Sequence, residues 1–332
     1  MESYPTPETG FDIGAHRPPD GLRESAKSEA VTLQIVRIDR VGDVNAFEKL
    51  DGDTLNAIAT DPLLSSARVL EGLFFEAAVV TEADRDSRFY QAAMRRAHPK
   101  KHCHFVDAPS KQSVTTIMGI YRSTGVRHVG IVDFDILRKP EELENALRAI
   151  ELDEPQIQQA MAARGVVAAS AGTERTSEAL AKKRAVLEEL STHFEELEST
   201  ASGAETTNTI SLKTLNRLFS KGANLGDRWT NLKKLGRNAL NADGRASFDE
   251  LSQLARARGL FILPAGELES ILSDCGVPHQ GDKRVWFEHA MKLLPKLTVD
   301  NSDQVWVFIK DIVEHLTAKQ PAAGASIQQT RH

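Results

Sequence analysis

Two near-continuous apolar runs in this chain each end in acids. Ala77-Ala78-Val79-Val80-Thr81 leads into Glu82-Ala83-Asp84-Arg85-Asp86, and His128-Val129-Gly130-Ile131-Val132 leads into Asp133-Phe134-Asp135. Runs of this kind read as strands buried on both faces, the pattern of a parallel sheet. Between them the periodicity predicts a helix over roughly 85–97, a strand near 103–107, and a helix over roughly 113–123 closed by Gly125. Strands alternating with helices imply an α/β fold, a parallel sheet flanked by helices and joined by right-handed crossovers.

The flanking sequence is mostly helical in pattern. Val31 to Arg40 alternates and reads as a strand, with Leu33, Ile35, Val36 and Ile38 as its apolar positions. Leu50 to Leu73 carries helical spacing, with Asp61 as a cap and Pro62 at a first helical position. After Pro140 the composition turns charged and Ala-rich. Leu180, Leu187, Leu190, Phe194 and Leu197 recur at helical intervals, a stripe for a helical hairpin, a dimer seam or the chain's own body. Ala201 to Thr207 reads as a connector, and 211–258 as helical with a loop near Asn241-Ala242-Asp243-Gly244. Gly259 to Pro264 returns to a short buried strand, Ala265 to Glu269 opens a helix, and a last helix spans about Val305–Leu316.

These signals divide the chain into a Pro-, Gly- and Ser-rich tail (1–30), a junction (31–72) and a first part of the α/β core (73–140). A large helical insertion (141–245), a completing segment with C-terminal helices (246–318) and a polar tail (319–332) follow.

The net charge is −6, so bulk electrostatics give no sign of a polyanionic partner. Basic residues do cluster locally: Arg95, Arg96, Lys100 and Lys101 lie among His98, His102 and His104. Such a group either holds phosphates or forms a solvated helix end. Two cysteines, Cys103 and Cys275, lack metal-type spacing and suit reduced thiols in the cytoplasm. In a strand His102 and His104 share one face and Cys103 the other, so His-Cys-His is not a metal site. There is no signal-peptide pattern and no 18-residue apolar stretch, so no membrane span is expected.

The carboxyl ends of strands are where open α/β sheets place ligands. Glu82 and Asp86, four apart, can face one crevice if the first ends a strand and the second opens a helix, where acids also suit the helix dipole. Asp133 and Asp135, two apart in an extended segment, share a face. So many carboxylates in one crevice call for raised pKa values or a cation, and a hard dication such as Mg²⁺ answers that need.

A strand-ending Glu, a helix-starting Asp and a later strand-ending Asp-x-Asp together resemble the Toprim domain, and in particular that of the OLD-family (overcoming lysogenization defect) nucleases. Phe105-Val106-Asp107-Ala108-Pro109-Ser110-Lys111-Gln112 is similar to the second-strand loop of those domains, and Thr124 through Leu137 to their third strand. Ser66 to Phe74 resembles the approach to Toprim in ATPase-linked members, and Gly259 to Glu269 their late strand and acidic helix start. The likeness covers roughly 60–140 and 250–275. The family's Glu is normally followed by Gly, where this chain has Ala83. No G-x-x-x-x-G-K-[ST] motif occurs, so ATP binding within this chain is not expected; the resemblance leaves a Toprim fragment, a split gene product served by a separate ATPase subunit, or a standalone nuclease subunit as alternatives.

The resemblance implies divalent-metal-dependent phosphodiester hydrolysis with two Mg²⁺ or Mn²⁺ ions, on DNA or RNA, DNA being the first choice, with phage defence a fitting role. Glu82, Asp86, Asp133 and Asp135 would be ligands, with Glu267 or Glu269 serving a second ion. Lys283 or Arg284 would steady phosphate charge. Two alternatives stand beside this. One is a haloacid dehalogenase-like phosphatase with Asp133 as nucleophile. The other is a degenerate Toprim used for assembly with an ATPase partner; a homo-oligomer is a further partner the chain allows under any of these readings.

Overall fold

A computed structural model of the chain describes residues 36–41, 44–50, 52–170, 176–200, 213–219, 228–280 and 282–318. The expected tails, the start of the first strand and the 201–207 connector lie outside the described residues.

The centre is a four-stranded, all-parallel sheet: β3 (Ala77–Thr81), β4 (His104–Asp107), β5 (Arg127–Val132) and β6 (Leu260–Ile262), in the spatial order β4-β3-β5-β6. A separate antiparallel hairpin precedes it, β1 (Val36–Val41) with β2 (Val44–Lys49). The register sets Val80 opposite Gly130 and Gly130 opposite Leu260, so the carboxyl ends of β3, β5 and β6 lie together. Side chains alternate between two cores. Ala78, Val80, Val106, Val132, Leu260 and Ile262 face one, and Ala77, Val79, Val129, Ile131 and Phe261 the other. Both faces are covered, which is why the strands read as unbroken apolar runs.

Helix α3 (Asp84–Ala97) connects β3 to β4 and packs on the second core through Phe89, Tyr90, Ala93 and Met94. Helix α4 (Lys111–Ser123) connects β4 to β5 and packs on the first through Val114, Ile117 and Met118. The chain leaves β3 toward one edge, then passes back across it, so crossovers of one hand put these helices on opposite faces. The direction of winding reverses between β3 and β5. That pair is the topological switch point, where an α/β sheet opens a crevice at its carboxyl edge. Gly130 permits the close approach of α4: a Cβ there would lie 2.7 Å from Val114 Cγ1 and overlap Met118 Sδ.

The helical segment after Pro140 divides in two. Helices α5 (Pro140–Ala149) and α6 (Glu154–Ser170) share the first core with α8 (Arg228–Leu235) and α9 (Ala242–Ala257), and Phe134 stacks on Phe248 at 4.9 Å. Helix α7 (Thr176–Thr200) instead forms a small cluster of its own, in which Val186 and Leu190 meet Leu215 and Leu218. Of the leucine stripe only Leu190 is buried there; Leu180, Leu187 and Phe194 are exposed, and the Leu197 side chain lies outside the described residues. Helices α10 (Lys283–Leu293) and α11 (Gln304–Thr317) cover the second face with Trp286, Trp306 and Phe308.

Three local expectations are corrected. The 50–73 stretch is broken into α1 (Gly52–Thr60) and α2 (Ala67–Glu71), with Leu73 in a 3₁₀ turn. Asp61 caps a turn, accepting from Leu63 N at 2.8 Å, and Pro62 starts no helix. Ser66 stands at the actual start of α2. Asn241 is an N-cap rather than part of a loop, since its side chain accepts from Gly244 N at 2.8 Å and 242–244 open α9. Residues 265–269 open no long helix, only a 3₁₀ turn at Leu268–Ser270.

Candidate functional site: an acidic crevice at the sheet's carboxyl edge

Strand β3 hands over to α3 through Glu82 and Ala83. Thr81 Oγ1 lies 2.7 Å from Ser87 Oγ and 3.1 Å from Ala83 O, which pins the first turn of the helix to the strand end. Ala83 is the N-cap with φ −151°, extended backbone open to any residue. The turn therefore has no need of the Gly that the Toprim pattern carries there. Glu82 reaches across the switch point, its Oε1 accepting from Asp133 N at 2.8 Å. That bond satisfies the first amide beyond β5 and ties the two strand ends together. Asp86 sits in the first turn of α3, where the helix dipole favours an acid.

Asp133 and Asp135 do not share an extended segment, contrary to expectation. Asp133 is extended, but Phe134–Arg138 forms a 3₁₀ turn. The cause is a long-range capture: Phe134 N donates to Gly266 O at 2.9 Å, which ends the strand direction. The two acids consequently meet different company. Asp135 is ion-paired to Lys111, the first residue of α4, with Lys233 of α8 at 3.7 Å. The Asp133 carboxylate has no ion pair or hydrogen-bond donor among the described residues, and the same holds for Asp86.

A loop after β6 completes the crevice. Leu263 N bonds Val132 O at 2.9 Å, and Arg237 N bonds Pro264 O at 2.9 Å. The loop lies so close to the end of α8 that two glycines must face one another. Gly266 (φ 103°) and Gly236 (φ 51°) leave no room for a side chain, and a Cβ on Gly266 would lie 2.9 Å from Gly236 N and overlap Lys233 O. From this anchored turn Glu267 and Glu269 project into the protein, each only 5 % exposed. Lys283 Nζ bridges them, 3.2 Å from Glu267 Oε2 and from Glu269 Oε2, while His279 Nε2 is 2.7 Å from Glu267 Oε1.

Electrostatics join these groups into one site. Burial lifts the Asp86 carboxyl to about 7, with the charges of Glu82 and Glu269 adding to the effect. Burial, then Glu82, Asp86 and Asp135, push Asp133 well above the usual carboxylate range. Glu82 is raised in the same way, with the Asp133 amide, Lys111 and Lys233 opposing. Burial would raise Glu267 too, but His279 and Lys283 outweigh it and hold it low. Tyr90, fully buried beneath the cluster, is raised by burial and then by Asp86 and Asp133. The crevice thus has a lysine-neutralised wall on each side, Lys111–Asp135 and Lys283–Glu267–Glu269. A core of Glu82, Asp86 and Asp133 between them makes no contact ion pair among the described residues, and Lys111, Lys233 and Lys283 offset its charge only from a distance.

All seven sequence-predicted residues, Glu82, Asp86, Asp133, Asp135, Glu267, Glu269 and Lys283, lie at this one edge. No sequence pattern singles out Lys233, His279 or the Gly236–Gly266 contact, and Lys111 stands in the sequence only within a loop similar to the family's. Lys283 pairs with Glu267 and Glu269, and Arg284 pairs instead with Glu288 on the surface. As for a metal, the donor set is all oxygen, which suits a hard dication. Among the described residues, however, no group of three or more His, Cys, Asp or Glu side chains is disposed to hold an ion. The partnerless pair Asp86 and Asp133, with Glu82, has the chemistry for it. Glu267, Glu269 and Asp135 already have lysine counter-ions.

Among the described residues no helix is long and apolar enough to cross a membrane. No family model, no curated protein and no solved structure matches the chain.

Proposed function

We propose that this protein is a divalent-metal-dependent nuclease with a Toprim-like core, cleaving phosphodiester bonds, in DNA first. The observation that carries the reading is the mutual charge coupling of Glu82, Asp86 and Asp133 at the topological switch point, with no contact ion pair or hydrogen-bond donor for the Asp86 or Asp133 carboxylate among the described residues. Mutual repulsion and burial make three such carboxylates costly unless protons or a cation are taken up. Glu82, Asp86 and Asp133 would hold Mg²⁺ or Mn²⁺, which supplies charge neutralisation and an activated water in phosphodiester hydrolysis.

The chain's own residues supply the rest. Glu82, fixed by the Asp133 amide, sets the spacing of β3 and β5 at the edge. Lys111 and Lys283 flank the acids on opposite faces of the sheet, and their burial against carboxylates keeps them charged. Burial alone would lower each, yet Asp135 raises Lys111 and Glu269 and Glu267 raise Lys283. They can receive the negative charge of a phosphodiester at the crevice mouth. The ATP-linked partner implied by the resemblance would be a separate chain.

The test is nicking of supercoiled plasmid by purified protein with Mg²⁺ or Mn²⁺. Cleavage is expected to vanish with EDTA and in Asp133→Asn, and cleavage surviving both overturns the reading. Hydrolysis of small phosphomonoesters with no plasmid nicking would favour the phosphatase alternative instead.

A further inference from the structure

A second feature lies beside the outer edge of the sheet, against the edge strand β4. A recess of about 360 Å³, open to solvent on one side, lies between α2, α3 and the segment 101–105. That size lies in the range of roughly 300–1,000 Å³ found for small-ligand pockets. Met94 and Phe105 contribute apolar lining, and Phe75 and His104, also in the lining, form a ring pair with centroids 4.8 Å apart. Arg68, Arg95 and Lys101 stand around it, against a single acid, Glu71. Arg95 and Lys101 have no ion pair among the described residues. Arg68 turns to Asp107 and lies 3.7 Å from Asp84. Phe74, next to the ring pair, is 86 % exposed. The basic cluster noted in the sequence is therefore not simply a solvated helix end. Two of its members border a recess with a ring pair in its lining.

Rings, apolar lining and surplus positive charge are the combination that receives a base and its phosphate. In a duplex the base faces are stacked and out of reach, whereas a single strand exposes them. The position also fits. β4 runs parallel to β3, with Asp107 opposite Thr81, and Arg68 connects the recess to Asp84 beside Glu82. The recess lies toward the amino ends of β3 and β4, so the length of β4, on the order of 10 Å, and the step across to β3 separate it from the acidic crevice, a gap that several nucleotides of a single strand span.

We propose that this recess holds one nucleotide of single-stranded nucleic acid, its base against Phe75 and His104 and its phosphate near Arg95 and Lys101. It thereby directs single-stranded or unpaired segments to the acidic crevice. This rests on the nuclease reading for its purpose but not for its test. Full-length protein in EDTA is titrated with a fluorescent 15-nucleotide oligothymidylate and with a duplex of the same length, following anisotropy. The single strand is expected to bind at least tenfold more tightly than the duplex. Removing the ring with Phe75→Ala is expected to weaken single-strand binding tenfold or more, the scale of one stacking platform. Arg95→Glu with Lys101→Glu, both on exposed positions, is expected to weaken it and to reduce the salt slope by about 0.7, the value for the one phosphate no longer neutralised. Equal or tighter duplex binding, absence of oligonucleotide binding, or unchanged affinity in these variants with native circular dichroism would overturn the proposal. Single-strand binding that survives in Asp133→Asn while plasmid nicking is absent in every protein would leave the recess standing and show that the chain alone is not the nuclease. Nicking retained in the Arg95, Lys101 double variant with single-strand affinity unchanged would do the reverse.

Discussion

Replacing Gly266 by Ala should disturb the acidic crevice without touching a charged group. Gly266 has φ 103°, and its absent side chain is what lets the loop after β6 lie against the end of α8. Two penalties follow from the coordinates. Holding a residue with a Cβ in that backbone region costs about 1–3 kcal/mol. Forcing an extra methyl against Lys233 O and Gly236 N, both backbone atoms that cannot swing aside, costs about 1–3 kcal/mol more. The sum, about 2–6 kcal/mol, is a large part of the roughly 5–15 kcal/mol that holds a domain together. With an m-value of about 3 kcal/mol/M, the urea midpoint should fall by roughly 0.7–2 M. Urea unfolding followed by circular dichroism measures this, with Gly119→Ala as the comparison. Gly119 lies inside α4 with nothing near its missing Cβ, so Ala there should stabilise by about 0.5–1 kcal/mol. A Gly266→Ala protein whose midpoint stays within about 0.2 M of the parent would refute the reasoning, because neither penalty would then be real.

Other expectations concern charge. Because the folded pKa of Asp86 is raised to about 7 from 3.8, the native state binds the extra proton between those values, and its contribution to stability declines as pH rises through that window. Asp86→Asn should therefore raise the melting temperature more at pH 8 than at pH 5, as differential scanning fluorimetry would show; an equal effect at both pH values would contradict it. His128 runs the other way. Burial lowers it to about 4, so the unfolded chain takes the proton first and stability falls as pH drops from about 6.5 toward 4, a slope that His128→Gln should flatten in acid titrations of stability. Lys111→Met leaves Asp135 with only the distant Lys233 and should cost about 1–3 kcal/mol by chemical denaturation, and a loss near zero would mean that the pair is solvent-screened. If Glu82, Asp86 and Asp133 take up Mg²⁺, the parent protein should melt at a higher temperature with millimolar Mg²⁺ and the Asp133→Asn variant should not.

What was legible in the sequence follows from burial on two faces. Strands β3 and β5 are apolar at every interior position but the buried His128, and no helical alternative explains such short runs bounded by charge and glycine. β6 is legible for the same reason although only three residues long. The hairpin partner Val44–Lys49 was not, because Val44-Asn45-Ala46-Phe47-Glu48-Lys49 offers a weak alternation. Asp133 and Asp135 looked alike in sequence because two-residue spacing in a strand shares a face. Their divergence is imposed by the carbonyl of Gly266, more than a hundred residues away, and no local pattern carries that information. Lys233 and His279 are equally silent. Each is an ordinary polar residue on a helix or loop, and only the fold brings them to Asp135 and Glu267. The glycines at 236 and 266 were the available signal. Both precede polar stretches and look like turn residues, and only their mutual contact gives them a positional role.

The short β6 has a consequence for the order in which the protein matures. Its partner β5 ends at Val132, and β6 begins at Leu260, so this pairing closes a loop of well over a hundred residues, whereas β3, β4 and β5 close through crossovers several times shorter. With each doubling of loop length adding about 0.6 kcal/mol, β6 joins at a disadvantage of roughly 1.5 kcal/mol relative to the β3–β4 pairing and roughly 0.9 kcal/mol relative to β3–β5. Contacts of high sequence separation also form late. During synthesis Glu82, Asp86 and Asp133 therefore come together first, on a sheet whose β5 side is still an open edge. Glu267, Glu269 and Lys283 reach the crevice only when the last strand seats. The nascent chain passes through an interval with its acids assembled, their flanking lysine wall incomplete, and a strand edge available to the wrong partner.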